Sequence, residues 1–239
     1  MVTGAASGIG AAVAARLAAL GAHVVVCDID ADGAARTAER IGGEALVLDL
    51  SRTADLAELR LEADILVNNA GIQEVAPVDR FRPETFAMML RLMLEAPFLL
   101  SRAVLPYMYG RGWGRIVHMS SVHGLRASPY KAAYVTAKHG LQGLSKVIAL
   151  EGAARGVTSN CVAPGYVRTP LVEKQLADQA MLHDLSVDEV TTQVLLARSA
   201  MKRLIDPEEV AGAVAFLCSP DAASVTGTHL TVDGGWTAS

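Results

Sequence analysis

The apolar pattern of this chain switches repeatedly between short β-branched runs and longer alanine- or leucine-rich stretches, and nothing else constrains its fold as strongly. Residues 24–27, 45–48, 65–67 and 115–118 read as strands with few polar interruptions, which suits parallel strands covered on both faces. Between them, residues 9–20, 31–41, 53–61 and 83–109 read as helices. A later helix is expected over 131–155, then a strand over 157–162, a variable segment over 170–205, a helix from Pro207 and a last strand over 228–232. This alternation predicts an α/β fold: a doubly wound parallel sheet, Rossmann-like, with right-handed crossovers. The 239 residues show no linker and no internal repeat, so a single domain over 1–239 is expected. Segment 170–205 is polar and helical in pattern between two sheet elements, which suits a substrate lid or a plain surface helix pair. Met1-Val2 leaves only about two residues for a first strand, so that strand is expected to start upstream.

Composition removes several function classes. A hydrophobic content of 51% excludes a disordered chain. Net charge is 21 − 25 = −4 without a basic cluster, which argues against a nucleic-acid partner. Charges interrupt every apolar run before the ~18 residues a membrane helix needs, and no signal peptide is visible. Cys27, Cys161 and Cys218 are odd in number and far apart, so no disulfide framework is expected and a reducing cytoplasm is the default setting. No His/Asp/Glu cluster has metal-ligand spacing, so no metal is expected.

The segment Thr3-Gly4-Ala5-Ala6-Ser7-Gly8-Ile9-Gly10 lies between the strand stub and the first helix. Gly4 permits a tight turn, and Gly8 and Gly10 let backbone approach a pyrophosphate at a helix N-terminus. The spacing is GxxxGxG rather than the commoner GxGxxG, and such a turn alone could serve helix packing. Asp28 strengthens the dinucleotide reading. It ends the second strand eighteen residues after Gly10, where an acidic residue meets ribose hydroxyls. A carboxylate there repels a 2′-phosphate, and the following Ile29 offers no cation to welcome one, so NAD is favoured over NADP. A strand-end turn aspartate is the plainer alternative.

Tyr134 and Lys138 stand at i and i+4, hence on one helix face. A phenol titrates near ~10, and a nearby fixed cation favours the phenolate needed for base catalysis. An oxidised nicotinamide would add a second positive charge. Ser121 follows a strand end, where α/β sheets present ligands, and can hold a substrate oxygen against Tyr134. Lys131 shares the helix face of Tyr134, and His123 points the same way as Ser121 in an extended segment. Lysine, a possible imidazolium and amides beside a hydride acceptor suit a compact anion.

The TGxxxGIG turn, Asn68-Asn69-Ala70-Gly71, Ser121 and the Tyr134-x-x-x-Lys138 pair together resemble the short-chain dehydrogenase/reductase family over essentially the whole chain. The resemblance implies that Tyr134 is the general acid/base, that Lys138 holds the nicotinamide ribose and lowers the tyrosine pKa, and that Ser121 orients substrate. It places Gly4, Ser7, Gly8, Ile9, Gly10, Asp28, Asp49, Leu50, Asn69, Ala70, Gly71, Pro164, Gly165, Val167 and Thr169 around the cofactor. At substrate-facing positions the match narrows to the bacterial branch that oxidises (R)-3-hydroxybutyrate to acetoacetate. There Gln73, Ser121, His123, Lys131, Tyr134, Tyr166 and Gln175 would surround a small hydroxy-acid substrate, with Trp236 closing the pocket. Tyr166 stands where that branch commonly has tryptophan. The alternatives are a reductase acting on a sugar, steroid or acyl thioester, and a non-catalytic NAD-binding scaffold. The family's homotetramer is also implied, with Met88, Met89, Leu92 and Leu99 as a candidate surface. One position departs from the pattern: the family's asparagine, five residues before a phenylalanine, is Met93 here, so its water relay must differ.

Overall fold

The computed structural model describes residues 1–170, 172–173 and 186–238. Seven parallel strands form one sheet: β1 (Val2–Thr3), β2 (Val25–Asp28), β3 (Glu44–Val47), β4 (Ile65–Asn68), β5 (Gly114–Met119), β6 (Val157–Pro164) and β7 (His229–Val232). Their order is β3-β2-β1-β4-β5-β6-β7, so the winding reverses between β1 and β4 and opens a crevice at the carboxyl ends there. Every residue of β5 and β6 is buried, as unbroken apolar runs predict for central parallel strands, while the edges β3 and β7 are largely exposed.

The period of two sorts the strands' side chains into two cores. Val67 and Val117 pack with Val13 and Leu17 of α1 (Gly8–Ala19) on one face. Their neighbours Leu66 and Ile116 pack on the other face against Leu100, Val104 and Met108. Helix α2 (Ala31–Ile41) forms as expected, its N-terminus capped by the Asp30 side chain accepting from Gly33 N–H.

Two sequence expectations change. The helix expected over 53–61 is a single turn, α3 (Thr53–Leu56), with no side-chain cap at Arg52. Beyond it the chain is held by tertiary contacts instead: Leu61 N–H donates to Ala103 C=O at 3.2 Å and the Arg102 guanidinium donates to Ala57 C=O. The helix expected over 83–109 is α4 (Pro83–Leu90), a π-helical stretch (Arg91–Glu95) and α5 (Ala96–Arg111). Pro97 has no N–H for the Met93 carbonyl four residues earlier, which accounts for a widened turn there. The first strand is as short as expected and pairs with β2 along its length and with β4 through Val2. Val2 registers with Val26 and Val67, and the Met1 ammonium donates to Ile65 C=O at 2.8 Å.

Helix α6 (Ala132–Gly152) follows β5 after a short 3₁₀ turn (Val122–Gly124). Within 170–205, residues 171 and 174–185, and therefore Gln175, lie outside the described residues. The described remainder holds a helical turn α7 (Val187–Glu189) and a π-helical stretch (Val190–Leu195). Val190, Leu195, Leu196 and Leu204 make a small core there against Tyr166 and Val172. Helix α8 (Pro207–Cys218) leads towards β7. All three cysteines are buried free thiols. Among the described residues no helix is long and apolar enough to cross a membrane.

Candidate active site

A cavity of about 520 Å³ occupies the crevice at the winding reversal. One end is built mainly from backbone. Gly4 and Gly8 take φ of +63° and +54°, a region an L side chain rarely adopts. A Cβ at Gly10 would lie 2.1 Å from Gly4 C=O, so only glycine fits there. Asn69 locks the turn from β4: its Nδ2 donates to Thr3 C=O at 2.9 Å and Gly4 C=O at 3.1 Å. Thr3 Oγ1 accepts from the N–H groups of Asn69 and Ala70. Asp28 lies at the end of β2, where its carboxylate accepts from Ala6 N–H (2.9 Å) and Asp30 N–H (3.1 Å).

Asp49 accepts from the backbone and hydroxyl of Ser51, and these bonds hold its carboxyl below the usual range. Ser7, Ile9, Leu50, Ala70, Gly71, Pro164, Gly165, Val167 and Thr169 line the same cavity, and a Cβ at Gly8 would meet the Thr169 side chain at 3.3 Å. Gly10 shapes the turn from behind the wall. A turn stripped of Cβ atoms at a helix N-terminus, with a carboxylate at the next strand end, fits the diphosphate and ribose of a nicotinamide dinucleotide.

At the other end, Ser121, Tyr134 and Lys138 line one wall. A Ser121–Tyr134 hydrogen bond pulls the phenol down, but burial outweighs it and holds Tyr134 above its ordinary value. Lys138 lies 5.4 Å from the Tyr134 ring centroid and donates to Met119 C=O at 2.7 Å. Burial lowers the lysine itself to about 8. Met93, fully buried on the π-helical stretch, presents its thioether to Gly71 beside the Lys138 ammonium. A thioether thus stands beside Gly71 where the family pattern has an amide.

The substrate-facing residues converge from distant segments. Lys131 Nζ is 3.0 Å from His123 Nε2 and lies over the Tyr166 ring at 5.6 Å. Burial lowers Lys131 to about 8; burial and the adjacent lysine lower His123 to about 4. The imidazolium considered from sequence is thus corrected. At neutral pH His123 is a neutral ring accepting from Lys131 through Nε2, with Nδ1 3.4 Å from Ser128 Oγ. Gln73 lines the cavity with a buried Nε2 that has no hydrogen-bond partner among the described residues.

Trp236 is placed differently from expectation. It is absent from the cavity wall and stands behind His123, ring edge to ring face at 5.6 Å. The candidate assembly surface also changes, because Met89 is core and Met88 and Leu92 line the cavity. Sequence reasoning missed Ile72, Ser120 and Val172 on the wall. They carry no motif signal, although Ile72 and Ser120 each adjoin a recognised residue.

This fold, glycine turn and Ser–Tyr–Lys wall define a nicotinamide-dependent oxidoreductase, and the chain belongs to the short-chain dehydrogenase/reductase family. A family profile described as Enoyl-(Acyl carrier protein) reductase matches residues 4–237. The chain is 42% identical over 252 aligned positions to a D-beta-hydroxybutyrate dehydrogenase of Rhizobium meliloti, covering 100% of this chain and 98% of that protein. It is 38% identical to an Escherichia coli 3-oxoacyl-[acyl-carrier-protein] reductase, covering 98% and 95%. A solved putative 2-deoxy-d-gluconate 3-dehydrogenase from Agrobacterium tumefaciens with bound NADP superposes with a TM-score of 0.88 at 34% identity, covering 100% and 95%.

Proposed function

We propose that this oxidoreductase oxidises (R)-3-hydroxybutyrate to acetoacetate with NAD. The observation that carries the substrate reading is the Lys131–His123 pair, with the unpartnered Gln73 amide, in the same cavity as Ser121 and Tyr134. An ammonium oriented by a neutral imidazole and an amide N–H with no partner among the described residues make a receptor for a small carboxylate. When bound, the dinucleotide supplies the hydride acceptor for the substrate carbon. Tyr134 as phenolate takes the hydroxyl proton, and Ser121 donates to the substrate oxygen. Lys138 keeps a positive charge beside the phenol. Gly4, Gly8, Asp28 and Asn69 would hold the dinucleotide, and the Asp28 carboxylate favours NAD by accepting from ribose hydroxyls and repelling a 2′-phosphate. Segment 170–205 works as the substrate lid, with Gln175 completing the carboxylate receptor.

The enzyme works in the cytoplasm as a homotetramer. Support for self-association is an apolar groove lined by Leu90, Leu94, Phe98 and Leu144, with Phe98 half exposed.

NADH formation should be fast with (R)-3-hydroxybutyrate and near background with its (S) enantiomer and with neutral secondary alcohols. Faster turnover of a 3-hydroxyacyl thioester or a sugar acid than of the short hydroxy acid would replace this reading with one of the alternatives.

A further inference from the structure

His123 governs the carboxylate receptor, because its Nε2 accepts one of the three N–H groups of Lys131 and so directs the other two. His123 is itself tied by a backbone hydrogen bond at Arg126 and by a longer 3.4 Å contact of its Nδ1 to Ser128 Oγ. Two perpendicular ring contacts add to these and fix the plane of the ring, to Tyr134 at 6.2 Å and to Trp236 at 5.6 Å. Trp236 belongs to a tightly built turn after β7. Gly234 and Gly235 reverse the chain at φ of +58° and +81°. The Asp233 carboxylate accepts from Gly235 N–H (3.0 Å) and from the Thr237 N–H (2.8 Å) and hydroxyl.

Two other segments are fastened to this turn. Met201 N–H donates to Gly234 C=O at 2.9 Å, and the Arg126 guanidinium donates to Thr237 C=O at 2.9 Å. The exposed Arg198 guanidinium, three residues past the π-helical stretch, lies 4.5 Å over the Trp236 ring. Cation, indole and imidazole are therefore in successive contact from the protein surface to the lysine that faces substrate. Neither Arg198 nor Trp236 lines the cavity.

We infer that Arg198 and the turn bearing Trp236 are positioning residues that act through His123 to set selectivity for an anionic over a neutral substrate. This rests on the hydroxy-acid reading. The guanidinium packs on the electron-rich face of the indole, restricting the ring that packs against His123. Loosening the stack lets the Lys131 head wander, which weakens binding of a carboxylate. A neutral ester, which offers that head no full charge, is affected far less.

The test compares (R)-3-hydroxybutyrate with its methyl ester in the unmodified enzyme, Arg198→Ala, Arg198→Lys and Trp236→Leu. Arg198→Ala should raise KM for the acid about 2- to 5-fold, the usual range of an exposed cation–π contact, with kcat and the ester kinetics unchanged. Arg198→Lys, which keeps the cation, should recover most of the loss. Trp236→Leu should shift the acid-to-ester ratio further in the same direction. A normal acid preference in the unmodified enzyme that persists undiminished in Arg198→Ala overturns this inference alone. Equal losses on acid and ester also overturn it, because they would mark Arg198 as generally structural. No acid preference in the unmodified enzyme removes the hydroxy-acid reading and this inference with it.

Discussion

The nucleotide-facing and substrate-facing ends of the cavity are built on opposite plans. The first is mostly main chain: Asn69 grips the carbonyls of Thr3 and Gly4, Asp28 accepts from backbone N–H groups, and Gly10 admits no Cβ. The second is side chain against side chain: Lys131 on His123, His123 on Trp236, Trp236 under Arg198. A main-chain site recognises what all dinucleotides share and tolerates substitution wherever a Cβ fits. A side-chain site recognises one charge in one place, so its selectivity is lost with single terminal atoms.

Tyr134 lies where the two ends meet, and there the largest effect is expected. Tyr134→Phe should lower kcat at least ~10²-fold while NAD binding stays near normal, because the hydroxyl serves the substrate and not the nucleotide. Titrating NAD by fluorescence beside steady-state kinetics checks both halves, and a near-normal kcat would remove the acid/base assignment.

The next effect belongs to the substrate end alone. Lys131→Ala should cut kcat/KM for the acid about 10- to 150-fold, the worth of a charge-assisted hydrogen bond, with much less loss on the methyl ester. The same lysine gives a pH signature. Burial places it at about 8, so its charge is present below that value and lost above it. Acid kcat/KM should therefore decline more steeply than ester kcat/KM as pH rises through about 8, because the ester feels only Lys138, which burial also lowers to about 8. Parallel profiles for the two substrates would show that Lys131 does not read the carboxylate.

The smallest effect tests the one position at the nucleotide end where a side-chain charge matters. Asp28→Ala should shift the NAD-to-NADP ratio of kcat/KM roughly tenfold toward NADP, the low end of a charge-assisted hydrogen bond. An unmodified enzyme that uses both nucleotides equally would deny Asp28 that role.

The order of strands and helices, the glycine turn, Asp28 and the Ser121–Tyr134–Lys138 set were all legible in the sequence. Each depends on short-range spacing: period two or 3.6, a glycine where a Cβ cannot stand, a pair four residues apart on one helix. Even the widened turn at Arg91–Glu95 has a local cause in Pro97. Tertiary structure decided what spacing cannot express. Residues 57–61 lie against Ala103 and Arg102 rather than continuing a helix. Met88 and Leu92, placed by spacing on a helix face, line the cavity. His123 is neutral because of burial and Lys131, and Trp236 backs it from more than a hundred residues away. Dielectric surroundings and contacts between remote segments depend on how the whole chain packs, so the sequence names the groups and only the fold sets their charge and aim.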